Sequence, residues 1–164
     1  MNIVCPHRGY NVGVRQVLEK LYHLHVDYKY MEHVDSYWGL MRGLWEEGET
    51  FIVIEHDVLP WPGAIQELQN CSEDWCSFTY EMKNGYGIYH AFGCTKFGKG
   101  LIEALPDAWM QIEDHNWNRL DSQFCKLALM AGLVPHPHRP PVIHFRDLLH
   151  EPPSGLDLMS RRKL

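Results

Sequence analysis

The sequence predicts a single-domain α/β fold with a mostly parallel central sheet flanked by helices. Three observations carry that expectation. Short apolar runs alternate with segments whose apolar residues recur at helical spacing. The run FIVI at 51–54 is continuous in its apolar character, as a strand covered on both faces requires. A length of 164 residues is enough to bury one core and too little for two comfortable ones. Strands that alternate with helices imply right-handed crossovers, which leave ligands near the carboxyl ends of the strands.

The elements follow in order. NIVC at 2–5 reads as the first strand, stopped by Pro6, and Asn11 offers a cap for a helix with Val14, Val17, Leu18 and Leu21 on one face. A weaker strand is expected at 25–30. Ser36 then caps a second helix in which Tyr37, Leu40, Met41, Leu44 and Trp45 share a face, closed by Gly48. The third strand covers 51–55. Pro62 suits a first helical turn, and Ala64, Ile65 and Leu68 extend that helix to Cys71. A fourth strand is expected at 75–80. The stretch 84–100 holds five glycines in 17 residues, so its backbone should approach something closely around a strand at 88–94. Residues 101–105 form a helical turn ended by Pro106. Trp117, Leu120, Phe124, Leu127, Ala128 and Ala131 space as a long helix stopped by Gly132, and 142–144 reads as a short last strand.

Composition narrows the function classes. A formal charge of -6 gives no general basic surface for a nucleic-acid backbone. The five cysteines, an odd count at irregular spacing, fit reduced thiols and a cytoplasmic location better than a disulfide framework. Cys71 and Cys76 could pair, but a free buried pair fits this reading better. No apolar run is long enough to cross a bilayer.

The most informative stretch is FIVIEHDVLPWPG, 51–63, where a buried strand runs into Glu55, His56 and Asp57 and then a Pro-rich turn. Two hard oxygen donors at a strand end suit Mg²⁺ or Mn²⁺ holding a substrate diphosphate, and Mn²⁺ also accepts imidazole. The plain alternative is a solvated strand-to-turn junction, where Asp is common. His136, His138 and His144 in HPHRPPVIH invite a zinc reading. No Cys-x-x-Cys or His-Glu-x-x-His accompanies them, and the prolines between indicate an extended, turn-rich approach to the last strand.

Taken together, a strand ending in a Pro loop, a capped helix, an apolar strand into acid-x-Asp, a Gly-rich stretch, NRLDSQFCKLALMAGL and PPVIH resemble the nucleotide-sugar half of GT-A glycosyltransferases. The resemblance spans about residues 2–145 in order. It implies a Rossmann-like GT-A domain over 1–146, with 147–164 as a C-terminal tail. It further implies a Mn²⁺ or Mg²⁺ cofactor held by Asp57, His144 and Glu55, a UDP- or GDP-linked sugar donor, and an acceptor of unspecified kind. Glu55 stands where the family more often has Asp, and Leu120 where it often has Glu before its Asp.

The resemblance also distributes roles. Asp121, 11 residues before Gly132, becomes the candidate catalytic base, with Asp114 its rival. A helix-start carboxylate facing the dipole is the other reading of Asp121. His7, Arg8, Asp27, Glu55 and His56 are the candidate donor contacts. Among Tyr86, Tyr89, Phe92, Trp109 and Trp117, the two nearest the Gly-rich stretch in interest, Tyr86 and Trp109, are the candidate acceptor contacts. The competing functions are a nucleotidyltransferase acting on sugar phosphates, and an inert nucleotide- or carbohydrate-binding module.

Overall fold

The computed structural model describes residues 1–9, 12–81, 87–88 and 92–144. The expected cap at Asn11, the tail at 147–164, and Tyr86 and Tyr89 all lie outside them. Eight strands form one sheet: β1 (Asn2–His7), β2 (Asp27–Tyr30), β3 (Phe51–Ile54), β4 (Val58–Leu59), β5 (Trp75–Glu81), β6 (Gly87–Ile88), β7 (Cys94–Phe97) and β8 (His136–His144). The helices are α1 (Val12–Gln16), continued by a π-helical turn at Val17–Leu21, α2 (Ser36–Glu47), α3 (Ala64–Asn70), α4 (Lys99–Ala104) and α5 (Trp117–Met130).

The sheet is mixed, which corrects the mostly parallel expectation. Its order is β2-β1-β3-β7-β5-β8-β4, with β6 paired to β5. β1 runs parallel to β2 and β3, and β5 parallel to β8, but β7 is antiparallel to both β3 and β5. The βαβ unit from β3 through α3 to β5 leaves a gap one strand wide, and the Gly-rich stretch returns to fill it. That strand lies at 94–97 rather than at 88–94.

Strand alternation divides the core into two layers. Ile3, Cys5, Ile52, Ile54 and Cys76 pack with Val14, Val17 and Leu18 of the first helical segment and with Ala64, Ile65 and Leu68 of α3. Val4, Phe51, Val53 and Phe97 face the other way, onto Tyr37, Met41 and Trp45 of α2 and Leu120, Phe124 and Ala128 of α5. Each such large side chain contributes about 1.5–3 kcal/mol on leaving water. β3 therefore reads as continuously apolar because both of its faces are covered.

Prolines explain the main strand-length errors. Pro6 does not stop β1: it lies past Val4, the last residue paired with β3, so only β2 flanks it there, an edge-like setting that proline tolerates. β8 runs nine residues through Pro137, Pro140 and Pro141, with its register to β5 shifting between Phe78 and Tyr80. α2 begins one residue earlier than a Ser36 cap implies; Asp35 holds the cap position, and the Ser36 hydroxyl instead accepts from the His33 amide at 2.9 Å. Gly48 (φ 72°) and Gly132 (φ 78°) adopt the left-handed backbone just after α2 and α5, as expected.

Two glycines of the Gly-rich stretch do approach something closely, and it is the chain itself. A methyl group added at Gly98 would lie 2.5 Å from Asp74 Oδ1 and 2.7 Å from its backbone. The Gly100 amide donates to Asp74 Oδ1 at 3.1 Å. These positions seat α4 against the start of β5.

Candidate active-site cleft

β1 and β3 run side by side, and the chain leaves both at the same end of the sheet. After Ile54 the backbone turns at once: the Val58 amide donates to the Glu55 carbonyl at 3.0 Å, and the Glu55 amide to Gly93 at 2.9 Å. Glu55, His56 and Asp57 thus stand in a tight turn rather than on a continuing strand. The turn runs into β4, where Val58 pairs with His144 and Leu59 with Ile143. That two-residue ladder carries the imidazole of His144 back to Asp57, with Nε2 and Oδ2 3.6 Å apart. Ligand atoms of Glu55, Asp57 and His144 all lie within 4.8 Å of one another. Asp57 and His144 keep 24% and 13% of their side-chain surface exposed, enough to reach an ion from solvent.

A cleft of about 400 Å³ opens beside this group, lined by Arg8, Glu55, His56, Asp57, Trp117 and Asp121 among others. The Asn116 side chain caps α5 by accepting from the Asn118 amide at 3.0 Å. Trp117 and Asp121 stand four residues apart on that helix, hence on one face, and both reach the cleft. Tyr37 backs the wall, its ring 4.5 Å from that of Trp117 and its hydroxyl donating to Glu55 Oε1 at 3.3 Å. The Arg8 guanidinium lies 5.8 Å from the Trp117 ring.

The structure separates the sequence-predicted residues. Arg8, Glu55, His56, Asp57 and Asp121 share the cleft, with His144 against Asp57. His56 edges onto the Trp117 ring, and its Nδ1 is buried with no hydrogen-bond partner among the described residues. Asp121 sits in the second turn of α5, beyond the first turn where the helix dipole acts most strongly. Asp114 is outside the cleft lining: its Oδ1 accepts from the Asn116 amide and its Oδ2 pairs with Arg119 at 3.2 Å.

Three placements need correction. Trp109 is 1% exposed, stacked on Phe124 at 5.3 Å in the aromatic core, so it has no face to offer an acceptor. Asp27 opens β2 rather than ending it; it pairs in register with Val4, three residues short of His7, and its carboxylate holds Lys29 at 2.9 Å. His7 is 2% exposed because β1 continues through it, packing the ring against Tyr28 and Tyr30. Burial, then the neighbouring His56 and Arg15, lower its pKa below the usual histidine value.

Tyr37, Asn116 and Asn118 also line the cleft without having been anticipated as site residues. Trp117, partly buried, is the tryptophan that lines the cleft, and Trp109 does not. The signal for it was the four-residue step from Trp117 to Asp121 on a single helix.

No protein-family model matches the sequence, and no curated protein matches it. Among solved structures the chain is similar to a glycosyltransferase involved in the glycosylation of the major capsid of PBCV-1. The TM-score is 0.57 at 13% identity, over 99% of this chain and 98% of that one. It is also similar to A197 from STIV, with a TM-score of 0.54 at 15% identity, over 90% of this chain and 87% of that one. At such identities the likeness shows a shared fold. No described helix is long and apolar enough to cross a membrane.

Proposed function

We propose that this chain is a metal-dependent glycosyltransferase of GT-A type, moving a sugar from a UDP- or GDP-linked donor to an acceptor. The observation that carries the reading is the meeting of Glu55, Asp57 and His144, within 4.8 Å of one another, on the lip of the cleft that holds Arg8 and Asp121. The fold shared with a capsid-modifying glycosyltransferase supports it.

Two carboxylates and one imidazole form a donor set that fits Mn²⁺ well and Mg²⁺ acceptably. An ion bound there supplies Lewis-acid neutralisation of the departing diphosphate. The chain's own groups do the rest. Arg8 offers a planar, permanently charged fork to phosphate oxygens, and the Trp117 ring beside it provides a flat apolar surface for a sugar or base. His56 presents a ring nitrogen to the donor. Asp121 accepts the proton of the acceptor hydroxyl as that oxygen attacks the anomeric carbon, the base role of an inverting transfer.

Isothermal titration with UDP- and GDP-sugars, with and without Mn²⁺, together with a donor-hydrolysis assay, tests the proposal. Wild type should bind one donor class only with the metal and hydrolyse it slowly. Asp57→Ala should lose metal-dependent binding by about a hundredfold or more while keeping its circular dichroism, because the residue is a partly exposed turn position. Donor binding that ignores Mn²⁺ in wild type would overturn the reading in favour of an inert binding module.

A further inference from the structure

A second group of ligand-type side chains lies under α3, and the cleft chemistry makes no use of it. Cys71 follows the last turn of α3, Cys76 is the second residue of β5, and His138 lies on β8. In the parallel β5–β8 register Cys76 is opposite His136 and Phe78 opposite His138. Alternation therefore sets Cys76 and His138 on one face of the sheet as diagonal neighbours. The two sulfurs are 2.8 Å apart, and one imidazole nitrogen of His138 lies within 4.8 Å of both.

The histidine is prepared as a ligand. Its Nδ1 is 2.5 Å from Glu67 Oε1 on α3, and because a carboxylate only accepts, that nitrogen carries the proton. Nε2 is then left with its lone pair. It is buried, in a residue 7% exposed, and has no hydrogen-bond partner among the described residues. Such a buried orphan is costly unless a ligand completes it. A carboxylate behind an imidazole is also the arrangement that fixes the tautomer of a metal-bound histidine.

We propose that Cys71, Cys76 and His138 form a binding site for Zn²⁺, with Glu67 as the positioning residue behind His138. Two sulfurs and one nitrogen are a soft donor set, and the preference is for zinc over the magnesium or manganese suited to the cleft. In a tetrahedral site with bonds of about 2.3 Å the sulfurs stand roughly 3.8 Å apart, so the pair must open by about 1 Å. Cys71 is only half-buried in the loop between α3 and β5 and can supply that movement. The fourth position opens into a surface depression lined by Glu67, Ser72, Glu73 and His136. The depression shares no lining residue with the cleft. Cys5, Cys94 and Cys125 are buried elsewhere and belong to no such group among the described residues.

Cobalt titration of the full chain, stripped with chelator and held reduced by a phosphine, tests the site. Co²⁺ should give one equivalent of a sulfur-to-cobalt charge-transfer band, and Zn²⁺ should bleach it. Cys76→Ser and Cys71→Ser should each remove most of the band, and Glu67→Gln should weaken cobalt affinity about 10–100-fold. Asp57→Ala should leave the band unchanged, which separates failure here from failure of the transferase reading. The reduced wild-type protein decides the matter even if a cysteine variant does not fold. Absence of the band, or its survival in both serine variants, would overturn the proposal.

Discussion

Glu55 and Asp57, in the turn at the carboxyl end of β3, meet His144 of β8 with part of their surface still exposed, whereas Cys76 and His138 meet beneath α3 with little surface left. The first group is oxygen-rich and can exchange ligands with solvent. The second is sulfur-rich, backed by a part-buried carboxylate contact, and its Cys76 packs in the core. If both proposals hold, donor hardness and burial would divide two places on one sheet between different ions. Where side chains stand in a turn or on a cleft-facing helix turn, the fold tolerates their loss and chemistry does not; in the interior the costs are reversed.

The sharpest way to break that contrast is to exchange the two candidate carboxylates on and before α5. Asp121→Asn should lower transfer about a hundredfold or more with little change in melting temperature, since it removes the proposed base from the cleft. Asp114→Asn should leave turnover near wild type, because its carboxylate serves the α5 start and Arg119. Equal losses in steady-state kinetics would erase the distinction.

A paired tryptophan test comes next. Trp109→Ala should cost about 3–5 kcal/mol in denaturant unfolding, the usual price of emptying a large buried ring site. Trp117→Ala should spare most of that stability and instead weaken donor binding in calorimetry. If Trp117→Ala proves the less stable of the two, the cleft wall is really core.

Gly98→Ala is a smaller probe of the interior. The added methyl meets Asp74 backbone at 2.7 Å, so a loss of about 1–3 kcal/mol is expected in chemical unfolding. A neutral result would mean that the start of α4 moves freely away from β5.

The smallest effect concerns His7. Its folded pKa is lowered, so as pH falls through the ordinary histidine value the unfolded chain takes up the proton first. The stability held above that value is then lost toward lower pH, until the folded histidine also titrates. Melting curves at pH 7.5 and pH 5.5 should show a larger drop for wild type than for His7→Gln, and parallel drops would remove His7 from the acid response.

Much of the fold was legible because burial on two faces leaves an uninterrupted apolar run, as in β3, and because α2 and α5 carry clean helical stripes. The β3 turn announced itself through Glu55 and Asp57. What local pattern could not express was strand order: nothing near residue 94 says that β7 inserts between β3 and β5. Proline content hid the length of β8, and a buried β1 hid the fact that His7 points into protein while Arg8 reaches the cleft. The thiol pair escaped a zinc interpretation because its histidine comes from a distant strand and its own five-residue step matches no short ligand motif. Asp27 and Trp109 were misassigned for the same reason, since an end of a strand and an exposed ring are facts of packing.

The ladder of Val58 with His144 and Leu59 with Ile143 joins segments 84–86 positions apart along the chain. During synthesis the acidic turn emerges more than eighty residues ahead of the imidazole that meets it. A chain ending before β8 would hold a cleft with only two of its three candidate ion ligands. Closure of the group thereby waits on β8, and the edge clasp that β8 forms with β4 is also one that a bound cation would reinforce.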